Sequence, residues 1–230
     1  YKKINNSTML NLTKLELRGV SCLKVIQGYK NIKHLKIKDT EIQYLKNMNP
    51  DTLILNNTDI ESIEGCKAKE TLEILNCNNL KKIDTQECSE FIKITSHSDI
   101  EISSLKAPFI YLNIPENCIP ENIEADTLII EKINSEHFPK QLKNFKGKII
   151  INNCFNLQKM DAGEYIDKIV LKNFLHLSYI NKETKFQVLK YFKDNNSFVL
   201  SNLNDISNSK ILCDVNFVKH PLIKKELPDF

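Results

Sequence analysis

The sequence predicts an α/β-type repeat protein, a solenoid of short coils whose strands form one curved parallel β-sheet on the concave face. Two observations lead to this fold class. Apolar residues recur at alternating spacings of two and three, as in Lys30–Leu45, and such segments return about every 20 residues along the 230-residue chain. Neither a helix nor a simple strand gives this spacing, whereas repeats of about this length are typical of solenoids.

The two spacings belong to two parts of each coil. Leu35 and Ile37 are two residues apart, which places both side chains on one side of a short strand. The three-residue spacings fit the turn after the strand, where Thr40 is predicted to hydrogen-bond the backbone of the next loop. One coil cannot bury its own apolar edge, so the coils are expected to stack around a shared core.

The pattern recurs along most of the chain, at steps of 18 to 21 residues. It starts at Leu12–Cys22, and its clearest later copies are Leu53-Leu55-Thr58-Ile60-Ile63, Leu72-Ile74-Cys77-Leu80-Ile83, Ile149-Ile151-Cys154-Leu157-Met160 and Ile169-Leu171-Phe174-Leu177-Ile180. After a longer gap, Phe198-Leu200-Leu203-Ile206 and the fragment Ile211-Cys213 are predicted to end the series. Cys77 and Cys154 occupy the position of Thr40 and are predicted to be buried thiols.

These units resemble the leucine-rich-repeat family, whose unit reads L-x-x-L-x-L-x-x-N/C/T-x-L. The resemblance covers about residues 10–213 and implies a right-handed solenoid, here as one domain over residues 1–230. Units this short leave little room for helices, so the convex side is predicted to be mostly extended or 3₁₀. One exception is a helix predicted over 184–193, where Thr184 is an N-cap candidate and Phe186, Leu189 and Phe192 have helical spacing. Residues 214–230 are predicted to form a cap or tail.

The sequence offers few parts for catalysis. Its five glycines are isolated, so no phosphate-binding glycine loop is present, and its five histidines have no metal-ligand spacing. We therefore predict no catalytic residues, no metal, no cofactor and no enzymatic activity. No apolar run reaches the length of a membrane span, so no span is expected. The basic cluster between Lys14 and Lys38 lacks the aromatic interleaving of single-strand nucleic-acid binders, so nucleic-acid binding is not expected either.

The residue between the two inward positions of each strand should face the concave surface. From Tyr111 onwards this column is predicted to be entirely apolar, and the neighbouring column adds two phenylalanines. Contiguous apolar surface of this kind is typical of binding sites. The predicted partner-binding residues are Phe91, Phe109, Tyr111, Ile129, Ile150, Val170, Val199 and Leu212.

Near the N-terminus the same face is predicted to carry a basic patch interrupted by Glu16. Its members are Lys14, Arg18, His34, Lys36 and Lys38. An acidic or phosphate-bearing partner would suit this patch, although a solvated charged surface explains it as well.

Two functions fit these predictions. The first, which the family resemblance implies, is a non-catalytic recognition module that binds a protein through the concave sheet. The second is a structural protein that joins copies of itself, in a ring if the contact closes, through the same surfaces or the C-terminal tail. The compartment stays open: the lack of cysteine-rich caps favours the cytoplasm, whereas the missing initiator methionine and the N-glycosylation sequons leave secretion as the alternative.

Overall fold

The computed structural model describes residues 2–4, 12–161, 166–172, 179–180, 188–192 and 210–212. The chain divides into two compact units, Tyr1–Glu124 and Ala125–Phe230, here called unit 1 and unit 2. Parallel β-structure dominates both units, and the described residues form a β-solenoid without an α-helix. The predicted repeat architecture is confirmed at this level.

Unit 1 consists of short parallel strands. In chain order they are β1 (Lys2–Ile4), β2 (Lys14–Arg18), β3 (Leu23–Gln27), β4 (His34–Thr40), β5 (Tyr44–Lys46), β6 (Thr52–Thr58), β7 (Thr71–Leu75), β8 (Lys82–Ile83), β9 (Gln86–Glu87), β10 (Phe91–Thr95), β11 (Glu101–Ile102), β12 (Leu105–Lys106), β13 (Phe109–Asn113) and β14 (Ile123–Glu124). A 3₁₀ turn at Glu116–Cys118 lies between β13 and β14.

Each coil of unit 1 contributes to as many as three sides. The main sheet has the order β2-β4-β6-β7-β10-β13, with every neighbouring pair parallel. A second side contains β1-β3-β5 and, linked through bridges at Ser62, β8-β11. A third side contains β9-β12-β14. The predicted extended segments outside the main sheet are thus partly short strands.

Alternating burial in the main sheet explains why these residues form strands. In the main-sheet strands β4, β6, β7, β10 and β13, the two inward residues are at most 1 % exposed, and the residue between them is half-buried. Leu35 and Ile37 are one such pair, as the two-residue spacing predicts. We call these stacked inward residues the spine. Burying a leucine or isoleucine side chain contributes roughly 1.5–3 kcal/mol, so the spine is a main source of stability.

A left-handed residue lies close to the C-terminal end of several of the main strands, next to last in β4 and β6 and directly after β7. Asp39, Asn57 and Asn76 have φ values of 51°, 51° and 54°, and each precedes a buried Thr or Cys. Asn and Asp tolerate this conformation better than other non-glycine residues. The Asp-Thr, Asn-Thr and Asn-Cys pairs therefore form the corners of these three coils.

The buried polar residues at these corners are only partly paired. The hydroxyl of Thr58 lies 3.1 Å from the sulfur of Cys77, and the side chain of Ser96 bonds the backbone of Ser98. Thr40 differs from its prediction, because its buried hydroxyl has no hydrogen-bond partner. Backbone hydrogen bonds join that corner to its neighbours instead: the Asp59 N–H donates to the Thr40 carbonyl at 3.1 Å, and the Glu41 N–H donates to the Val20 carbonyl at 3.3 Å.

On the third side of unit 1, one buried amide joins neighbouring coils. The Gln86 side chain is 0 % exposed; its amide nitrogen donates to the Cys66 carbonyl at 2.9 Å, and its amide oxygen accepts from the Ala68 N–H at 3.4 Å. These contacts satisfy backbone groups that burial would otherwise leave unpaired, at a cost of about 1–3 kcal/mol each.

Unit 2 has the same parallel construction. Its strands are β15 (Thr127–Ile130), β16 (Gly147–Ile151), β17 (Lys159–Met160), β18 (Ile166–Lys172), β19 (Tyr179–Ile180), β20 (Val188–Phe192) and β21 (Lys210–Leu212), with a 3₁₀ turn at Lys140–Leu142. The order β15-β16-β18-β20-β21 forms its main sheet, and β17 pairs with β19. Cys154 is completely buried beside Leu157 and Met160, as the repeat pattern predicts.

The predicted helix over 184–193 is wrong. Residues Val188–Phe192 form β20, which pairs in parallel with β18 so that Leu189 lies opposite Ile169 and Tyr191 opposite Leu171. The 20-residue step from Ile169 to Leu189 continues the solenoid, and pairing with β18 outweighs the helical spacing of three apolar side chains. Val188, Tyr191 and Phe192 also have high β-propensity.

This strand changes the end of the predicted apolar column. β20 pairs directly with β21, and Lys190 lies in register between Val170 and Leu212. Val199, predicted for that place, is outside the described residues, as is the predicted cap or tail over 214–230. Lys190 therefore holds the register position for which the sequence predicts Val199.

Candidate functional site

The outer face of the main sheet of unit 1 carries the clearest cluster of large side chains. Phe91 and Phe109 are register partners on β10 and β13, and their ring centroids are 5.4 Å apart at an interplanar angle of 35°. On the same two strands, the Lys93 ammonium lies 5.4 Å from the centroid of the Tyr111 ring. We call Phe91, Lys93, Phe109 and Tyr111 the aromatic cluster.

The strand geometry places all four side chains of the aromatic cluster on one face. Each alternates with a fully buried isoleucine or leucine, and each is itself half-buried. Aromatic pairs and cation–π contacts at such partly exposed sites each contribute about 0.5–1.5 kcal/mol. The cluster is therefore a pre-ordered apolar surface with one cation, and its rings remain partly exposed for contact with a partner.

Polar side chains flank the aromatic cluster. Glu73 on β7 is the register partner of Lys93. Along β10 and β13 themselves, the next outward positions after Lys93 and Tyr111 are Thr95 and Asn113, which are register partners and also half-buried. Hydrogen-bonding groups around an apolar centre are typical of the rim of a protein interface.

The predicted basic patch lies on β2 and β4 of the same sheet. Lys14 is in register with His34, and Arg18 with Lys38. Two acids reduce its charge: Glu16 is 3.4 Å from the Lys36 ammonium, and Asp39 is 3.5 Å from the Arg18 guanidinium. The sequence identified Glu16, whereas Asp39 reaches Arg18 only because of the corner turn.

In unit 2, the outer face of the main sheet carries two of the other predicted residues side by side. Ile129 and Ile150 are register partners and both are half-buried. Val170 holds the next register position, beside Ile150. Among the described residues of this unit, the exposed large hydrophobic side chain lies elsewhere: Phe155, 45 % exposed, follows the buried Cys154. The spacing pattern gives no signal for Phe155, because it lies in the turn outside the repeated positions.

The described cysteines are mostly unsuited to nucleophilic chemistry. Burial raises the pKa of the Cys66 and Cys88 thiols to about 11, and burial also raises the pKa of Cys77 and Cys118. The thiolate is the reactive form, so these four are held in the inert state near neutral pH. Cys22 is exposed, and the described cysteines form no disulfide.

Other features of the described residues suggest no chemistry. None of the groups of His, Cys, Asp and Glu is arranged to hold a metal ion. An open depression of about 340 Å³ on the second side of unit 1 is lined by Val25, Gln27, Tyr44 and Lys46. There the Lys46 ammonium binds Glu64 at 2.9 Å and the Tyr44 hydroxyl donates to Glu61 at 3.0 Å.

The described segments contain no helix with the length and apolarity needed to cross a bilayer. No protein-family model, curated protein sequence or solved structure matches the chain significantly. The leucine-rich-repeat resemblance therefore stays a prediction, and the fold established for the described residues is a parallel β-solenoid.

Proposed function

We propose that this protein is a non-catalytic recognition module of the leucine-rich-repeat type that binds a protein partner through the outer face of its main sheet. The single observation that carries the proposal is the aromatic cluster of unit 1. Four ordered, half-buried side chains on two neighbouring strands provide apolar area at low entropic cost, because the fold already restricts their rotamers. Tyr and other aromatic residues are also enriched at binding hot spots.

The rest of the face supports the same function. Glu73, Thr95 and Asn113 place hydrogen-bonding groups beside the aromatic cluster, and the basic patch would orient an acidic region of the partner. In unit 2, Ile129 and Ile150 add apolar area of their own. A binding module needs no nucleophile, metal or cofactor, so the side chains on the sheet are sufficient for this function.

The test compares three chains as baits in a cell extract: the wild type, Phe91→Ala/Phe109→Ala, and Phe155→Ala. The last is a matched control, since it removes an exposed phenylalanine that lies off the sheet. A protein that the wild type and the control capture is then purified and titrated against all three chains. The double variant is expected to weaken binding by about 30-fold, or about 2 kcal/mol, because truncating anchor residues has effects of this size.

Equal affinities for the three chains would overturn the proposal. Sedimentation velocity of the wild type at micromolar concentration tests the alternative of self-assembly. A monomer supports recognition of another protein. A dimer or ring that the double variant dissociates would assign the aromatic cluster to self-association instead.

A further inference from the structure

Glu73 is a half-buried carboxylate on the outer face of the main sheet of unit 1, directly beside the aromatic cluster. Its side chain makes neither an ion pair nor a hydrogen bond with any residue that the structure describes. Two other half-buried acids of unit 1 do have partners: Asp51 is 3.0 Å from the Lys69 ammonium, and Glu61 accepts a hydrogen bond from the Tyr44 hydroxyl at 3.0 Å. The Glu73 carboxylate therefore has its hydrogen-bonding capacity left for a group from outside the chain.

Two lysines lie in the same outward column as Glu73, and both interact with other groups. Lys93 is the register partner of Glu73 on β10, but its ammonium lies 5.4 Å from the centroid of the Tyr111 ring on β13. Lys36 lies two strands away on β4, and its ammonium is 3.4 Å from Glu16 on β2. A cation that approaches Glu73 over β7 therefore replaces no ion pair of the described residues.

The surroundings of Glu73 are otherwise mainly apolar. Ile54 is its register partner on β6, Leu75 is the next outward residue on β7, and both are half-buried. Phe91 on β10 is in register with Thr71, which places it diagonally across from Glu73. The strand and residue spacings of a sheet put the Cα atoms of Glu73 and Phe91 about 8 Å apart. Apolar neighbours exclude water and so strengthen an ion pair formed at this carboxylate.

We propose that Glu73 and Phe91 together bind an arginine side chain of the partner protein. This inference rests on the proposed function and names the side chain that the outer face recognises. A guanidinium is planar, so it can donate two hydrogen bonds to a carboxylate and also stack on an aromatic ring. A lysine ammonium provides a point charge without that planar geometry. Ile54 and Leu75 contact apolar residues beside the arginine, so the recognised segment reads apolar–Arg–apolar.

The experiment titrates the full chain with three peptides and follows the amide resonances by two-dimensional NMR, which measures millimolar affinities. The first peptide is acetyl-Ser-Leu-Arg-Leu-Ser-amide, and the controls carry citrulline or Lys in place of Arg. Citrulline has the shape of arginine without its charge. The arginine peptide is expected to bind about tenfold more tightly than the citrulline peptide and about threefold more tightly than the lysine peptide. The largest shifts should fall on β7 and β10.

Two single variants test the role of the carboxylate. Glu73→Gln should bind the arginine and citrulline peptides equally, because Gln keeps the size of the side chain and removes its charge. Glu87→Gln is the matched control, since it removes the same charge from an exposed position on the third side and should leave the tenfold preference unchanged. The Phe91→Ala/Phe109→Ala chain should bind all three peptides more weakly, because it removes the stacking surface.

The outcomes separate this inference from the proposed function. Absence of saturable binding by the arginine peptide, an equal affinity for it and either control, or a preference that survives Glu73→Gln would each overturn the arginine site. Equal affinities that the Phe91→Ala/Phe109→Ala chain weakens together would overturn the arginine site and leave the recognition function in place. Wild-type affinities in that double variant would instead count against the aromatic cluster, and hence against the proposed function.

Discussion

Replacing Leu72 with alanine is expected to lower the free energy of unfolding by about 2–5 kcal/mol, the range for deleting a fully buried leucine side chain beyond Cβ. Leu72 is 0 % exposed in the spine, between Leu53 and Ile92 of the neighbouring coils. Each coil of a solenoid depends on its neighbours, so a cavity in β7 weakens both of its interfaces in the sheet. Urea unfolding followed by circular dichroism measures the change.

The matched control is the next residue along the same strand. Glu73 lies on the outer face, half-buried and between the same two coils, so Glu73→Ala should change the free energy of unfolding by no more than about 0.5 kcal/mol. The Leu72→Ala and Glu73→Ala variants therefore compare an inward with an outward position on the same strand. Similar losses for Leu72→Ala and Glu73→Ala would contradict the alternation of β7.

Gly147→Ala is expected to have an effect of comparable size in unit 2. Gly147 has a φ of 112°, and a Cβ added there would lie 2.7 Å from the Ala125 carbonyl oxygen and 3.0 Å from that of Asp126. The Asp126 oxygen also accepts the Lys148 N–H at 2.9 Å, so it cannot shift without weakening that bond. We expect a loss of about 3 kcal/mol or more, since backbone strain and a steric clash add here.

Gly28→Ala provides the comparison for backbone strain alone. Gly28 has a φ of 74°, and an added Cβ would meet no atom within 4 Å. Its loss should be about 1 kcal/mol, the cost of placing a residue with a side chain in the left-handed region. Equal thermal unfolding midpoints for the two variants would show that the close approach at Gly147 is absent in solution.

The repeat and its inward positions could be predicted because they follow directly from the spacing of apolar residues. Leu35 and Ile37, Leu53 and Leu55, and Ile149 and Ile151 all lie where the two-residue spacing places them. Because the strands pair in the same register, every coil needs apolar residues at the same two inward positions. The pattern is weak in one coil, but its repetition along the chain makes it a reliable signal. The buried thiols of Cys77 and Cys154 follow from the same alignment.

Residues 184–193 could not be assigned correctly from local spacing. Phe186, Leu189 and Phe192 fit a helix, but Leu189 and Tyr191 also fit the two inward positions of a strand. Only pairing with β18 decides between these readings, and pairing is a long-range property. Because a helix was predicted at 184–193, the next strand was predicted only at Phe198–Leu200. Val199 was therefore predicted at the column position that Lys190 holds in the strand register.

The candidate site was predictable in part for the same reason. The alternation in β10 and β13 places Phe91, Phe109 and Tyr111 on the outer face, whereas the stacking of Lys93 on Tyr111 depends on register between strands. Asp39 reaches Arg18 because of a left-handed turn, which apolar spacing does not report. The Asp or Asn that directly precedes Thr40, Thr58, Cys77 and Cys154 was the signal for these corners.

Thiol labelling along β13 tests the central claim most directly, that the residue between two spine positions faces outward. Ile110→Cys, Tyr111→Cys and Leu112→Cys, each in a Cys22→Ser background, are treated with a maleimide at neutral pH. Ile110 and Leu112 are 0 % exposed and Tyr111 is half-buried on the outer face, so position 111 should label at least about tenfold faster than its neighbours. Equal rates at the three positions, or faster labelling at 110 and 112, would contradict the account.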